Sequence, residues 1–529
     1  MAEPWWKSAV LYQIYPRSFQ DSNGDGIGDL RGIIKRVPYL ADLGVDAIWV
    51  SPIFVSPMAD FGYDIANYTA IDPLFGSMDD FDAMVREAHA HGIKLVLDFV
   101  PNHTSDRHPW FAESRASRNN RKRDWYIWRD GRPEGGPPNN WLSEFGGSAW
   151  TFDAATAQYY YHAFLAAQPD LNWRNAELRA AMQDVMRFWL RRGVDGFRID
   201  VMDRVVKDPE LRDNPPQTNP RYRALAQTAM QVHQYDQNWP DIIDVVRGIR
   251  KVVDEFPERM TVGEVGGPPE QIVKYYGTDG HDGLHLAFNF PFVRVRQRHW
   301  TAEHMRRVVD AFEGALTPGA WPNHVFGNHD VGRFVSRVND DGRGQERARV
   351  AALLLLTLRG TPFIYYGEEI GMEDGDVPEE LLQDPARFFA PGRDPERTPM
   401  QWTRSGDFTS GTPWLPYSNL RCNVADEMQD PKSLLALYRR LIWFRRGSNA
   451  LRFGEYKPLD NLPPSVFAYT RTDGDERLLT VLNFANEHVR FALPDGIRIV
   501  EMVIGTHGEL PTAEEIPLAG NEGRLLRLS

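Results

Sequence analysis

One cysteine, Cys422, in 529 residues leaves no partner for an intramolecular disulfide. That fits a reducing compartment, and the expected location is cytoplasmic. No apolar run is long enough to cross a bilayer; "VAALLLLTL" (350–358) reads as a buried helix. The opening "MAEPWWKSAVLYQIYPRSF" lacks a basic stretch followed by an apolar one, so neither a signal peptide nor a membrane partner is expected. Positive charge is also short: 60 Lys and Arg face 73 Asp and Glu, a formal charge of −13. Nucleic acid is excluded as a partner on that ground, because phosphate binding needs a basic face. Internal repeats and low-complexity tracts are absent.

What is present suits a large ordered protein. Hydrophobic residues make up 42% and charged residues 25%, which excludes a disordered chain. The length accommodates a large barrel with one or two further modules. Sixteen tryptophans and nineteen tyrosines either fill a core or offer faces on which sugar rings stack, and composition leaves both open.

Near-continuous apolar runs alternate with amphipathic stretches that end in glycine: "VLYQIYP", "LRGIIKRVPYLADLG", "AIWVSPI", "MDDFDAMVREAHAHG", "KLVLDFVPNH". Strands buried on both faces have this texture, so the pattern predicts a parallel sheet built from βα units. The rhythm breaks from about 104 to 172 and resumes with "GFRIDV", "RMTVGEV", "LHLAFNF", "WPNHVFGNHD" and "TPFIYYGEE". Eight strands in all predict a (β/α)8 TIM barrel; a doubly wound open sheet competes, but no Gly-rich dinucleotide fingerprint supports it. The expected domains are a barrel over 1–103 and 173–449, and an inserted domain over 104–172. A C-terminal antiparallel β-sandwich is expected over 450–529, where short alternating runs are punctuated by Asp-Gly and Pro turns.

Barrel active sites lie at the C-terminal ends of the strands. Asp98, Asn102 and His103 follow the third strand, Arg198 and Asp200 the fourth, Glu264 the fifth, His329 and Asp330 the seventh. Such a set suits a metal hydrolase or a glycosidase. Helical His spacing and thiolate pairs, the usual metal signatures, are missing. Carboxylates from separate strands instead supply a nucleophile, a proton donor and a group that fixes ring hydroxyls.

The same segments resemble glycoside hydrolase family 13, the α-amylase family. "DFVPNH" (98–103), "GFRIDVMD" (196–203), "GEV" (263–265) and "FGNHD" (326–330) stand in the order of its four signature regions. "QPDLNW" (168–173) is similar to the region that marks its oligo-1,6-glucosidase and α-glucosidase branch, and "GYDIANY", "RTPMQW" and "GTPFIYYGEE" extend the match. The resemblance implies an exo-acting retaining α-glucosidase, with transglucosylation as a further outcome. Asp200 would be the nucleophile, Glu264 the acid/base and Asp330 the transition-state stabiliser. Asp60, Tyr63, His103, Phe164, Arg198, His329 and Arg397 would hold the terminal glucosyl unit. Arg198, two residues before Asp200, is expected to keep that neighbour ionised.

Val201, after the nucleophile, resembles members that accept α-1,6 bonds; it also reads as an ordinary strand residue. The substrate class is a short α-glucoside or small oligosaccharide. A sucrose or maltose isomerase and a non-enzymatic member of the fold are the rival functions.

"DSNGDGIGDL" (21–30) resembles half of an EF-hand loop. Asp21, Asn23 and Asp25 take positions 1, 3 and 5, Gly26 the turn, Ile27 offers a carbonyl and Asp29 stands at position 9. Gly32 replaces the glutamate at position 12, so a sensor EF-hand is excluded. In the family an equivalent loop binds one structural divalent cation, Ca2+ or Mg2+; the competing reading is an Asx-rich turn without metal. No organic cofactor is expected.

Overall fold

The computed structural model describes residues 3–219, 227–388, 392–492, 498–507 and 515–529. Eight parallel strands surround one axis: β1 (Leu11–Ile14), β2 (Ala47–Val50), β3 (Lys94–Phe99), β4 (Gly196–Ile199), β5 (Met260–Gly263), β6 (Leu286–Ala287), β7 (Asn323–Val325) and β8 (Thr361–Tyr365). They pair in the order β6-β5-β4-β3-β2-β1-β8-β7. Alternate residues separate two cores. Leu11, Ala47, Val96, Val262, Val325 and Phe363 fill the barrel, while Tyr12, Ile48, Leu97, Ile199 and Ile364 pack in the main core outside it.

Among the described residues no ladder joins β6 to β7. Asn323 bridges this seam: its Nδ2 donates to Ala287 O at 2.5 Å and its Oδ1 accepts from Asn289 N at 3.3 Å. A side chain thus satisfies backbone groups that a ladder would otherwise pair.

Among the described residues seven long helices form the outer layer: α1 (Leu30–Leu43), α2 (Met78–Ala90), α3 (Ala176–Arg191), α4 (Ile242–Val253), α5 (Ala302–Ala315), α6 (Gly344–Thr357) and α7 (Leu434–Gly447). After β5 there are only short turns at Pro269–Ile272 and Val273–Tyr276. The ends follow from local chemistry. Asp29 caps α1 by accepting from Gly32 N at 2.7 Å, and Gly44 closes it at φ 95°. Ser77 and Asp80 form a capping box on α2. Helix α6 carries the apolar run 350–358, buried between barrel and C-terminal sheet, and no helix among the described residues is long and apolar enough to cross a membrane.

Between β3 and α3 the chain builds a small antiparallel sheet from Trp128–Arg129, Gln158–Tyr161 and Trp150–Asp153 around Trp141, Trp150 and Tyr161. It is fastened to the barrel by a His103–Asp170 bridge and by Lys207, whose Nζ donates to Asp170 at 2.5 Å and Asn102 at 2.8 Å. At the C-terminus, β9 (Glu455–Pro458), β10 (Val466–Asp473), β11 (Glu476–Asn483), β12 (Ile499–Gly505) and β13 (Gly523–Leu528) form an antiparallel sheet. A second pair, Val489–Ala492 with Glu515–Leu518, covers one face through Ile516 and Leu518. The expected barrel and β-sandwich are both present.

Candidate active site

The C-terminal ends of the strands open into a cavity of about 540 Å³. Asp200, Glu264 and Asp330 line it, together with Asp60, Tyr63, His103, Phe164, Val201 and His329. Arg198 and Arg397, each 1% exposed, stand behind the lining and act through other side chains.

Arg198 is the hub of one half. Its Nη1 donates to Asp98 Oδ1 at 2.9 Å and to Asp200 Oδ1 at 2.6 Å, and its Nη2 donates to Glu264. One guanidinium therefore serves three carboxyls. Burial raises the Asp200 carboxyl well above its ordinary value; Arg198 opposes this, but Glu264 and Asp98 add to it. Arg198 acts on Asp200 in the expected direction, favouring its ionised form, and divides its charge among three carboxyls. Asp98 also accepts from Trp49 and Tyr63, each at 3.1 Å.

Asp330 lies in the opposite setting. Arg393 and Arg397 donate to its Oδ1 at 3.0 and 3.1 Å, and His329 Nε2 lies 3.3 Å from Oδ2. Burial would raise its carboxyl, but these neighbours hold it well below the ordinary carboxylate range. Both Arg397, weighed from the sequence, and Arg393 thus reach the same carboxylate. Arg393 continues to Asp60 at 2.7 Å and lines the cavity.

The histidines are neutral. Burial brings His329 down to about 3 and His103 to about 4. Gln13 Nε2 donates to His329 Nδ1 at 2.8 Å, which leaves the proton on Nε2, 2.7 Å from the Tyr63 hydroxyl. Tyr63 stacks on His329 with planes 1° apart. Asn102, oriented by Lys207, lies 3.2 Å from His103 Nδ1, and the Gln168 amide nitrogen lies 3.1 Å from its Nε2, so both ring nitrogens have an amide neighbour. Phe164 packs 5.2 Å from His103 and 6.2 Å from Phe145.

Val201 lies outside β4, in the left-handed region at φ 34° and ψ 48°. The ordinary-strand reading therefore fails. A β-branched residue pays about 1–3 kcal/mol there, and this turn directs its N–H to Glu264 Oε2 at 3.2 Å.

The 21–30 loop lies elsewhere. Asp21, Asn23 and Asp25 each accept from the amide two residues on, all at 2.8 Å, and Asp29 also accepts from Ser22. A Cβ at Gly26 would meet Thr412 O at 2.0 Å, so only glycine allows this close wrap. Burial would raise the Asp21 carboxyl, but the Thr409 hydroxyl and the amides of Gly24, Gly26 and Asn23 hold it below its ordinary value. Hard oxygen donors of this kind, with the Ile27 carbonyl, fit Ca2+ or Mg2+. Among the described residues no group of three or more His, Cys, Asp or Glu side chains is placed to hold a metal ion, at the pocket or at this loop.

Comparison with known proteins decides the family. Residues 13–454 match the α-amylase catalytic domain and residues 456–522 the C-terminal domain of maltogenic amylase. The chain belongs to the α-amylase family, glycoside hydrolase family 13. It is similar to a "Probable alpha-glucosidase" of Rhizobium meliloti (strain 1021), 46% identical over 93% of this chain and 91% of that one. An oligo-1,6-glucosidase of Parageobacillus thermoglucosidasius is 40% identical over the full length of both. The crystal structure of the α-glucosyl transfer enzyme XgtA superimposes with a TM-score of 0.94 at 40% identity, again over both whole chains. The protein is thus a glycoside hydrolase of this family.

Sequence reading missed the far wall of the cavity: Glu144, Asp203, Arg204, Gln237 and Asn238. Asp203 closes the segment "GFRIDVMD" and Arg204 follows it, so both were within reach. Gln237 and Asn238 sit in the irregular stretch before α4, where no periodicity signals a site.

Proposed function

We propose that this glycoside hydrolase is an exo-acting retaining α-glucosidase that removes terminal glucose from short α-1,4- or α-1,6-glucosides. The observation that carries this reading is the shared guanidinium. Arg198 holds Asp200 and Glu264 on adjacent nitrogens, a close-set pair of the kind retaining enzymes use at about 5–5.5 Å.

Asp200 attacks the anomeric carbon, and the C–O bond to the leaving group breaks as Glu264 protonates that oxygen. Glu264 then takes a proton from water, which displaces Asp200 and releases α-glucose. Arg198, against both carboxyls, favours the ionised form of Asp200 that attacks. Asp330, ionised by its arginines, accepts ring hydroxyls as positive charge develops. His103, Asp60, Tyr63, Phe164 and His329 complete the glucosyl subsite.

The test is release of α-glucose from p-nitrophenyl α-glucoside, lost in Asp200→Ala. First appearance of β-glucose by NMR would overturn retention. Water and a sugar acceptor compete for the same intermediate, and the likeness to a glucosyl transfer enzyme supports transfer as a second outcome. Chromatography of products from sucrose and maltose separates hydrolysis and transfer from isomerisation. The loop at 21–29 would hold one divalent cation as a structural clip, through Asp21, Asn23, Asp25, Ile27 and Asp29. A cytoplasmic site of action accords with the single cysteine.

A further inference from the structure

Two hydrogen-bond networks meet at the catalytic pair, and the glucosyl subsite uses only one of them. The other lies across the cavity, on the loops after β4 and β5 and on the inserted domain. Arg204 pairs with Glu144 and lies against the Gln237 carboxamide, and Thr228 donates to the second Glu144 oxygen at 3.3 Å. These groups satisfy one another. Asp203 does not fit that pattern. Its Oδ2 accepts from Gly266 N at 2.9 Å, and its Oδ1 has no hydrogen-bond partner among the described residues. Yet Asp203 is only 7% exposed and lines the cavity. A carboxylate oxygen withdrawn from bulk water gains from any donor a ligand brings.

Position decides which ligand group that is. Asp203 is three residues past Asp200, and Gly266 is two past Glu264, so their bond spans the gap between the nucleophile's loop and the acid's loop. The leaving oxygen must lie beside Glu264, and whatever it carries extends over this tie. We infer that Asp203 selects the leaving group: its free oxygen accepts a hydroxyl of a sugar or polyol joined to the transferred glucosyl unit. The inference rests on the α-glucosidase reading. An apolar aryl leaving group offers no such hydroxyl and gains nothing from Asp203.

Arg204, Glu264, Glu144 and Tyr275 are the charged and titratable groups that face Asp203. Burial, opposed by Arg204, pushes its carboxyl up to about 6, so its acceptor strength changes within an accessible pH range.

The test compares kcat/KM on a disaccharide, isomaltose or maltose, with kcat/KM on p-nitrophenyl α-glucoside. Asp203→Asn keeps an oxygen for Gly266 and replaces the free acceptor with an amide donor. The disaccharide-to-aryl ratio is expected to fall about tenfold. Equal losses on both substrates would make Asp203 a tie for the Gly266 loop and overturn the inference, as would an unchanged ratio. The unaltered protein gives a second readout. Its ratio, followed between about pH 4.5 and 7.5, is expected to fall as pH drops through about 6. The same profile is followed in Asp203→Asn: a fall present in the unaltered protein and absent from the variant supports the inference, and identical profiles overturn it. Failure of the unaltered protein on both substrates would instead overturn the α-glucosidase reading itself.

Discussion

Arg198 is the one cation paired with Asp98, Asp200 and Glu264, whereas Asp330 has two, Arg397 and an Arg393 that it shares with Asp60 and Asp384. The same side-chain type is driven in opposite directions across one cavity. The Asp200 side chain is 8% exposed and its carboxyl is raised; the Asp330 side chain is 31% exposed and its carboxyl is lowered. Burial sets the sign where a carboxyl has a share in one cation, and the cations set it where two guanidiniums reach the same carboxylate. The raised half can store a proton for transfer, and the lowered half stays anionic opposite a developing cation. Acid/base work and charge stabilisation are thus separated by local charge count.

The comparison breaks most completely if the nucleophile is removed. Asp200→Asn is expected to lower kcat/KM by about 10⁴-fold or more, measured on p-nitrophenyl α-glucoside. Next comes the hub. Arg198→Met leaves three buried carboxyls without their cation and is expected to lower unfolding free energy by about 3–5 kcal/mol. Arg397→Met leaves Asp330 with Arg393 and is expected to cost about 1–3 kcal/mol. Urea unfolding of both variants checks this, and equal costs would contradict the division of charge argued above.

Titration sharpens the same contrast. Asp200 must be ionised to attack, so the acid limb of kcat/KM is expected above the ordinary aspartate value of about 3.9. Asp330→Asn should lower the plateau and leave that limb in place. A limb at or below about 4 would show Asp200 ionised like a free carboxyl. The stability signs are opposed as well. The raised Asp200 stabilises the fold below its unfolded value and loses that contribution as pH rises through its folded value. The lowered Asp330 stabilises above its unfolded value and loses this as pH falls through its folded value.

The β1–β8 rhythm was legible because strands buried on both faces carry continuous apolar runs, and α1 and α2 announced their ends through Asp29, Gly44 and Ser77. The three acids were legible because each follows a strand. What one residue's neighbours do to its charge was not. Nothing near position 200 in the sequence tells that Arg198 also serves Asp98 and Glu264, which are about a hundred and about sixty residues away along the chain. Nor does "IDVMD" reveal that Val201 leaves the strand for a left-handed turn, since valine favours strands and disfavours that conformation.

Val201 gives a smaller effect. Its strained turn places it beside both catalytic acids, on the cavity lining. Val201→Thr is expected to change the isomaltose-to-maltose ratio of kcat/KM by about threefold or more, since one methyl-for-hydroxyl exchange is worth about 1 kcal/mol. An unchanged ratio would remove Val201 from any account of linkage.

The smallest effect on the chemistry is expected where acidic residues are densest in sequence. Asp21 and Asp25 are, like Asp330, carboxylates supplied with donors, but their donors are backbone amides, the Thr409 hydroxyl and the Asn23 amide, and no guanidinium pairs with either. A divalent cation would supply the missing positive charge. It would also pin the start of α1, which Asp29 caps, and the 408–412 segment that touches the loop. None of these groups lines the cavity. Cation present at 100 times its Kd would stabilise the fold by about 2.7 kcal/mol. Chelation is therefore expected to lower Tm by a few degrees, about 2–4 °C per kcal/mol for a large domain, with kcat unchanged below the new Tm. Restoring Ca2+ or Mg2+ should return Tm, and Asp25→Asn should blunt the response. A Tm indifferent to chelator and cation would leave the loop as a set of Asx turns closed by their own amides.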